Sequence, residues 1–333
     1  MSVIDIHNHV TPRRFVEAIE RDGEWYTLGP DVGELHIPKF SIEPEARIAE
    51  MDEMGVDVHV LTSNTGFFKY DLDAALTREI ARECNEELAE MMRAHPDRFM
   101  GLASIPLQDV PMAIDVMEHA MNEMGFRGIT IGDHVNGITF DDPRFYPFWK
   151  AVEEIGAVVF FHQCSSTVVE ARTDRFGLPN VIGNLVERAI TFGSLVYGGI
   201  MDRYPDLKIC LGHAGGYTAF GVARMDKGWQ AGAMENMPEF DDARTFLERA
   251  PSEYVSRFWY DSCTYTESTL RYLLDVVGSD RVVLGTDYPA PMMEPDPVRW
   301  INAMQGLSAE EKDAILSSNP ARLLGSDRSR LEE

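Results

Sequence analysis

The sequence predicts an α/β protein of one domain over residues 1–333, a (β/α)8 TIM barrel with a small insertion after the first strand. Three observations predict it. Eight short apolar runs rich in β-branched and aromatic residues recur along the chain, separated by stretches of helical length. That alternation marks βαβ units and a parallel sheet. The runs are nearly continuous in apolar residues, as strands covered on both faces are. No GxGxxG motif follows the first run, which weakens an open dinucleotide-binding sheet.

In chain order the strand runs are SVIDIHNH, VDVHVLTS, RFMGLASIP, RGITIG, AVVFFH, LKICLGH, RFWYDS and RVVLGTD. Helical pattern occupies PEARIAEMDEMG, the stretch from Leu72 to Ala94, VPMAIDVMEHAMNEMG, FYPFWKAVEEIG and NLVERAITFGSLVYGGIMDRYP. Residues from about 11 to 41 do not fit a minimal barrel. Their helical pattern is weak, they carry several glycines and prolines, and they include Trp25, Tyr26 and Phe40. They read as an insertion of the small-hairpin kind. A second irregular stretch runs from about 230 to 251, and residues 326–333 form a polar tail expected to fray.

Thirty Lys and Arg stand against 55 Asp and Glu, a formal net charge of −25. Binding a polyanion needs clustered cations that displace counterions, so nucleic acid is excluded as a partner. An anionic membrane surface is disfavoured for the same reason. No apolar run approaches the roughly 20 residues of a membrane span. MSVIDIHNHV shows no basic segment leading into an apolar one, so no secretory signal is expected. Cys84, Cys164, Cys210 and Cys263 are scattered without a CxxC pair. A disulfide scaffold or zinc ribbon is therefore not expected, and a cytoplasmic location is.

The informative polar residues sit at the C-terminal ends of the predicted strands, where barrel active sites are built. His7 and His9 end the first strand, and their spacing of two puts both imidazoles on one face. His162 follows AVVFF, His213 follows LKICLG and Asp287 follows RVVLGT. Taken singly, each is explained by hydrogen bonding in a buried position. Together, neutral imidazoles and a carboxylate converging on one barrel mouth suit Zn²⁺ or a similar divalent ion with a position open to water. The residues alone leave open which histidine stays off the ion. Asp261, ending the seventh strand, is placed to support a ligand by hydrogen bonding. Gly215 and Gly216 are suited to a tight turn after His213.

The motifs DIHNH, FFHQ, LGHAGG and LGTDYP resemble the amidohydrolase-related (amidohydrolase 2) family of the amidohydrolase superfamily. Further runs, PEARIAEMDEMGVDVHVLTS, GFRGITIGDHVNG, DLKICLGHAGG through GVARMDKGW, and DRVVLGTDYPAP, bring the chain nearest to the aminocarboxymuconate-semialdehyde decarboxylase group. The resemblance runs from Val3 to about Gly325. It implies that His7, His9, His162 and Asp287 are metal ligands and that His213 is an acid/base kept off the metal. It favours zinc, with manganese, cobalt or iron as alternatives. It also implies that Arg47 and Arg224 grip substrate carboxylates, Arg224 from the neighbouring subunit of a homodimer. Guanidinium pairs with carboxylate bidentately and stays charged, which suits the role. Read without the resemblance, Arg47 belongs to the solvated face of a helix and Arg224 to a helix end or an interface.

The chain departs from the family pattern at Gln163 and Cys164, where the decarboxylase has a proline and a pocket-lining tryptophan. Resorcylate-type decarboxylases carry glutamate at the first position of HxH, whereas this chain keeps His7. The implied activity is non-oxidative decarboxylation of a small unsaturated or aromatic carboxylic acid. Two alternatives stay open: hydrolysis or hydration of an amide, lactone or unsaturated acid at the same site, and a non-enzymatic barrel that binds a ligand.

Overall fold

Eight parallel strands surround the centre of the molecule in a computed structural model that describes residues 2–163, 172–173, 175–234, 237–238 and 242–326. They are β1 (Ile4–Val10), β2 (Val58–Ser63), β3 (Phe99–Gly101), β4 (Gly128–Ile131), β5 (Val158–Phe161), β6 (Lys208–Leu211), β7 (Trp259–Asp261) and β8 (Val282–Val283). Seven fall within an expected strand run, and β1 runs one residue past its own, to Val10. Ladders join β1-β2-β3 and β4-β5-β6-β7-β8. The two sheets meet at narrower seams. Ala103 bridges to Ile129 between β3 and β4. On the other side, Ile6 N donates to Leu284 O, Asp287 N to His7 O and His9 N to Tyr288 O. This second seam ties β1 to the residues after β8, and both carry predicted site residues.

Helices fill the connections: α1 (Arg13–Asp22), α2 (Pro44–Met54), α3 (Ala74–Ala94), α4 (Val110–Glu123), α5 (Tyr146–Ile155), α6 (Asn184–Tyr197), α7 (Ile200–Arg203), α8 (Thr218–Ala231), α9 (Glu267–Val277), α10 (Pro297–Ala303), α11 (Ala309–Asp313) and α12 (Asn319–Leu324). Side chains that accept from first-turn amides start several of them, Asp73 for α3, Asp109 for α4 and Thr266 for α9. Along the strands the period of two divides the core. Leu61, Val159, Phe161, Ile209 and Val282 pack outward with helix residues such as Met117, Phe148 and Leu195. Their alternates Val60, Val158, Phe160, Cys210 and Val283 form the inner cluster, joined by Ala321, Leu323 and Leu324 of α12.

The stretch expected to be a small hairpin is mostly helical. α1 buries Phe15 and Ala18, and only the short Trp25–Leu28 bridge is hairpin-like. Its first turn is held from a distance: Glu87 of α3 accepts from Arg13 N at 2.6 Å and from Arg14 N at 3.2 Å. Nothing in the local sequence carries that cap. Cys164, part of the stretch from 230 to 251, and the tail after residue 326 lie outside the described residues.

Candidate active site

His7 and His9 lie on β1, His162 directly after β5, His213 two residues after β6, and Asp287 in the turn after β8. All five are buried. The ring centroids of His7, His9 and His162 lie 4.6–5.2 Å from one another, and His213 stands 5.1 Å from His7 and 4.9 Å from His162.

Three of the imidazoles are fixed through Nδ1. His7 Nδ1 donates to Asp261 Oδ2 at 2.6 Å. His9 Nδ1 donates at 3.2 Å to Thr62 Oγ1, whose own proton goes to the Asn8 carbonyl at 2.6 Å. His162 Nδ1 donates to the Gln163 carbonyl at 3.1 Å. Each bond sets the tautomer and leaves an Nε2 lone pair. The Nε2 atoms of His7 and His162 are buried without a hydrogen-bond partner among the described residues. Those of His7 and His9 each lie 3.2 Å from Asp287 Oδ1. The candidate donor atoms of His7, His9, His162 and Asp287 all fall within 4.8 Å of one another. A tetrahedron of ligands about 2.0 Å from a zinc ion has edges of roughly 3.3 Å. The donor set therefore fits one divalent ion, and its buried lone pairs have no other use.

Electrostatics point the same way. Burial disfavours charge at His9 and His162 and holds their pKa values down, as metal-ligating nitrogens require. Burial acts on His7 likewise, but Asp287 and Asp261 outweigh it and raise its pKa to about 10. Asp287 thus calls for positive charge at the point the Nε2 atoms surround. Burial opposes the ionised form of Asp287, yet His7, His213 and His9 keep its carboxyl well below the usual range.

His213 is held differently. Its Nε2 stands 3.7 Å from Asp287 Oδ2 and its Nδ1 has no hydrogen-bond partner among the described residues. Its backbone is strained, with φ +53°, followed by Ala214 at +56°; Asp287 is at +63° and Tyr265 at +61°. Four non-glycine residues in the left-handed region at the ends of β6, β7 and β8 concentrate strain where barrel enzymes do chemistry. Asp261 over-determines the turn after β6 by accepting from His213 N at 2.8 Å and Ala214 N at 2.6 Å. Gly215 and Gly216 complete it at φ +69° and +59°, and a Cβ on Gly216 would strike the Leu185 carbonyl.

A cavity of about 290 Å³ opens onto His9, His162, His213 and Asp287. Its walls are Glu34, Phe40, Asn64, Thr65, Gln163, Pro179, Asn180, Asn184, Ala290 and Pro291. Asn64 directly follows β2 and Gln163 is the second residue after β5, so the strand-end rule that found the histidines reaches them too. Glu34 and Phe40 come from the irregular stretch after β1, where no spacing singles them out.

Neither arginine is at this cavity. Arg47 occupies the buried stripe of α2 with Met51 and Met54, not a solvated face. Its Nη2 donates to the His9 carbonyl at 2.5 Å, its Nη1 to Asn8 Oδ1 at 3.3 Å, and its guanidinium lies 4.7 Å from the centre of the Tyr288 ring. It braces the seam between β1 and the turn after β8 instead of meeting the cavity. Arg224 is exposed on α8, beside a separate groove of about 640 Å³ between α6 and α8. His134 accepts from Gly137 N at 3.1 Å within its own turn and does not line the cavity.

Comparison with known proteins places this geometry. The sequence profile of the amidohydrolase family matches residues 4–326. A 2-amino-3-carboxymuconate-6-semialdehyde decarboxylase of Dictyostelium discoideum is 31% identical over 97% of this chain and 92% of its own length. The crystal structure of 5-carboxyvanillate decarboxylase from Sphingomonas paucimobilis superposes with a TM-score of 0.85 at 27% identity, covering 97% of this chain and 99% of that one. The 5-carboxyvanillate decarboxylase of Novosphingobium aromaticivorans, solved with manganese and 4-hydroxy-3-methoxy-5-nitrobenzoic acid, gives 0.83 at 25% identity, with 97% and 96% covered.

Proposed function

The chain belongs to the amidohydrolase family, and from that premise we propose that it is a metal-dependent non-oxidative decarboxylase of a small aromatic or unsaturated carboxylic acid. The observation that carries the proposal is the set of three Nδ1-pinned imidazoles and Asp287 around one point, beside His213, in a cavity of the size of a single substituted ring. His7, His9, His162 and Asp287 would hold the ion, and the imidazole-rich donor set favours zinc, with manganese as the alternative found in a relative. A divalent ion there supplies Lewis-acid stabilisation of the negative charge that develops on the substrate. His213 acts as acid/base. The bond from ring or alkene carbon to the carboxylate breaks, its electron pair stays on the carbon, and a proton from His213 takes the place of the departing CO₂. Asp261 holds His7 in register, and Arg47 positions His9 through its carbonyl.

Arg224 belongs to a second copy's site in this reading. It projects from the same face of α8 as Phe220, one turn earlier and 80% exposed, so that face carries both an apolar contact and a cation with no ion pair among the described residues. The protein is then a homodimer. Among the described residues no helix is long and apolar enough to cross a membrane, and Cys84, Cys210 and Cys263 are free thiols, which suits the cytoplasm.

Metal analysis and CO₂ release from a panel of benzoates test the function. The purified protein should hold one equivalent of a divalent metal. His213→Ala should abolish CO₂ release with the metal retained. Metal loss in that variant overturns the role of His213, and hydrolysis of a lactone or amide with no CO₂ from any acid overturns decarboxylation in favour of hydrolysis.

A further inference from the structure

The cavity wall carries a carboxylate where a site for a dicarboxylic acid would carry a cation. No lysine or arginine among the described residues lines the cavity, whereas Glu34 does. Glu34 is a built feature and not a loosely placed surface acid. Its backbone is in the left-handed region at φ +50°. The turn that presents it is clamped on both sides: a Cβ on Gly33 would collide with the Phe15 ring, and one on Gly66 with the Val32 carbonyl. Thr11 Oγ1 adds a hydrogen bond to the Gly33 carbonyl at 2.7 Å. Asn64, itself buried, accepts from Gly66 N through Oδ1 at 2.9 Å and donates through Nδ2 to Glu34 Oε2 at 3.2 Å. One carboxylate oxygen is thereby held and the other is left for a ligand. A second acceptor stands in the same wall: Gln163 is 8% exposed, and its Oε1 is buried without a partner among the described residues.

Strained backbone, close packing and a dedicated amide together fix an acceptor in a cavity whose other members are imidazoles, carboxamides and the Phe40 ring. We infer that Glu34 is a specificity-determining residue. It accepts a hydrogen bond from a hydroxyl or amino substituent of the substrate and repels a second carboxylate at that position. The preferred substrate class is therefore a hydroxy- or amino-substituted monocarboxylic acid. This rests on the decarboxylase reading for the identity of the reaction, and it departs from the dicarboxylate grip expected of the two arginines, leaving Arg224 of a second copy a single carboxylate to hold. An ionised acceptor strengthens a hydrogen bond to a neutral donor, and an unmatched carboxylate pair is repulsive, so both halves of the preference act in one direction.

The test is calorimetric binding to the metal-loaded protein of benzoate, the three monohydroxybenzoates and the three benzenedicarboxylates, with CO₂ release followed in parallel. Wild type should bind at least one hydroxybenzoate tenfold or more tighter than both benzoate and the matching dicarboxylate. Glu34→Gln should shrink that ratio by about 10- to 100-fold, the range of one charge-assisted hydrogen bond. Glu34→Asp, which shortens the reach but keeps the charge, should still reject the dicarboxylate. A ratio unchanged in Glu34→Gln, or a wild type that prefers the dicarboxylate or shows no preference, overturns the inference. CO₂ release with a flat binding pattern overturns Glu34 alone. The expected binding pattern without CO₂ from any acid overturns the reaction and leaves the role of Glu34 standing.

Discussion

Asp261 never faces the cavity, yet more of the site depends on it than on any one ligand. Its Oδ2 accepts from His7 Nδ1 and His213 N, and its Oδ1 from Ala214 N and Cys263 N. Burial raises the cost of its charge, but the His7 hydrogen bond and the charges of His7 and His213 hold its carboxyl below the usual carboxylate range. One side chain thus sets the His7 tautomer and the backbone of the turn that carries His213. Asp261→Asn keeps the shape and removes the charge. The amide NH₂ then opposes one pair of donors, either Ala214 N and Cys263 N or His7 Nδ1 and His213 N, and His7 loses the charged partner that makes Nε2 a strong electron-pair donor. Metal affinity should fall about 10- to 100-fold, the usual loss for a residue that orients a ligand. Metal content after dialysis against a graded chelator measures it. An unchanged affinity would mean that His7 is oriented by packing against Phe160, 5.0 Å away, and not by Asp261.

At the scale of elements, the cap on α1 shows how local pattern and tertiary structure divide the work. Glu87 sits in α3, some seventy residues from the amides of Arg13 and Arg14 that it satisfies. Glu87→Ala should leave both donors unpaired and cost about 1–2 kcal/mol, as removal of a helix cap does. Hydrogen exchange should become faster at the α1 amides while β1 stays protected; uniform protection loss would show the two elements unfolding together. This also explains what could be read from sequence. Strands buried on both faces announce themselves by composition, and the residues at their C-terminal ends announce the site, which is why His7, His9, His162, His213 and Asp287 were legible. α1 was not, because its stability comes from a partner far along the chain. Arg47 was half legible: Arg47, Met51 and Met54 recur at helical spacing, but that stripe reads as buried only if an arginine is allowed a buried guanidinium hydrogen-bonded to neighbouring carbonyls. Glu34 was illegible because a clamped turn leaves no period.

The whole molecule sets the conditions under which an anion reaches this site. The chain carries a formal charge of −25, and the proposed substrate is a carboxylate of the same sign. Long-range steering therefore opposes encounter, and whatever favours binding must act inside the cavity, through the ion that His7, His9, His162 and Asp287 would hold and, in the proposed dimer, through Arg224 of a second copy. The two ranges respond differently to salt. Repulsion across the surface is screened over a Debye length of about 8–10 Å near physiological ionic strength, whereas interactions in a buried cavity are screened far less. Raising potassium chloride from about 10 mM to 300 mM, a range across which the Debye length falls from about 30 Å to well below 10 Å, should increase kcat/KM for an anionic substrate by a few-fold and leave kcat nearly unchanged. A neutral inhibitor of the same shape should show no salt dependence. The opposite slope, with kcat/KM falling as salt rises, would mean that Arg224 of the proposed second copy governs encounter. Charge reversal at Arg224 should then abolish that slope, which makes the sign of the salt effect a direct reading of which field the substrate meets first.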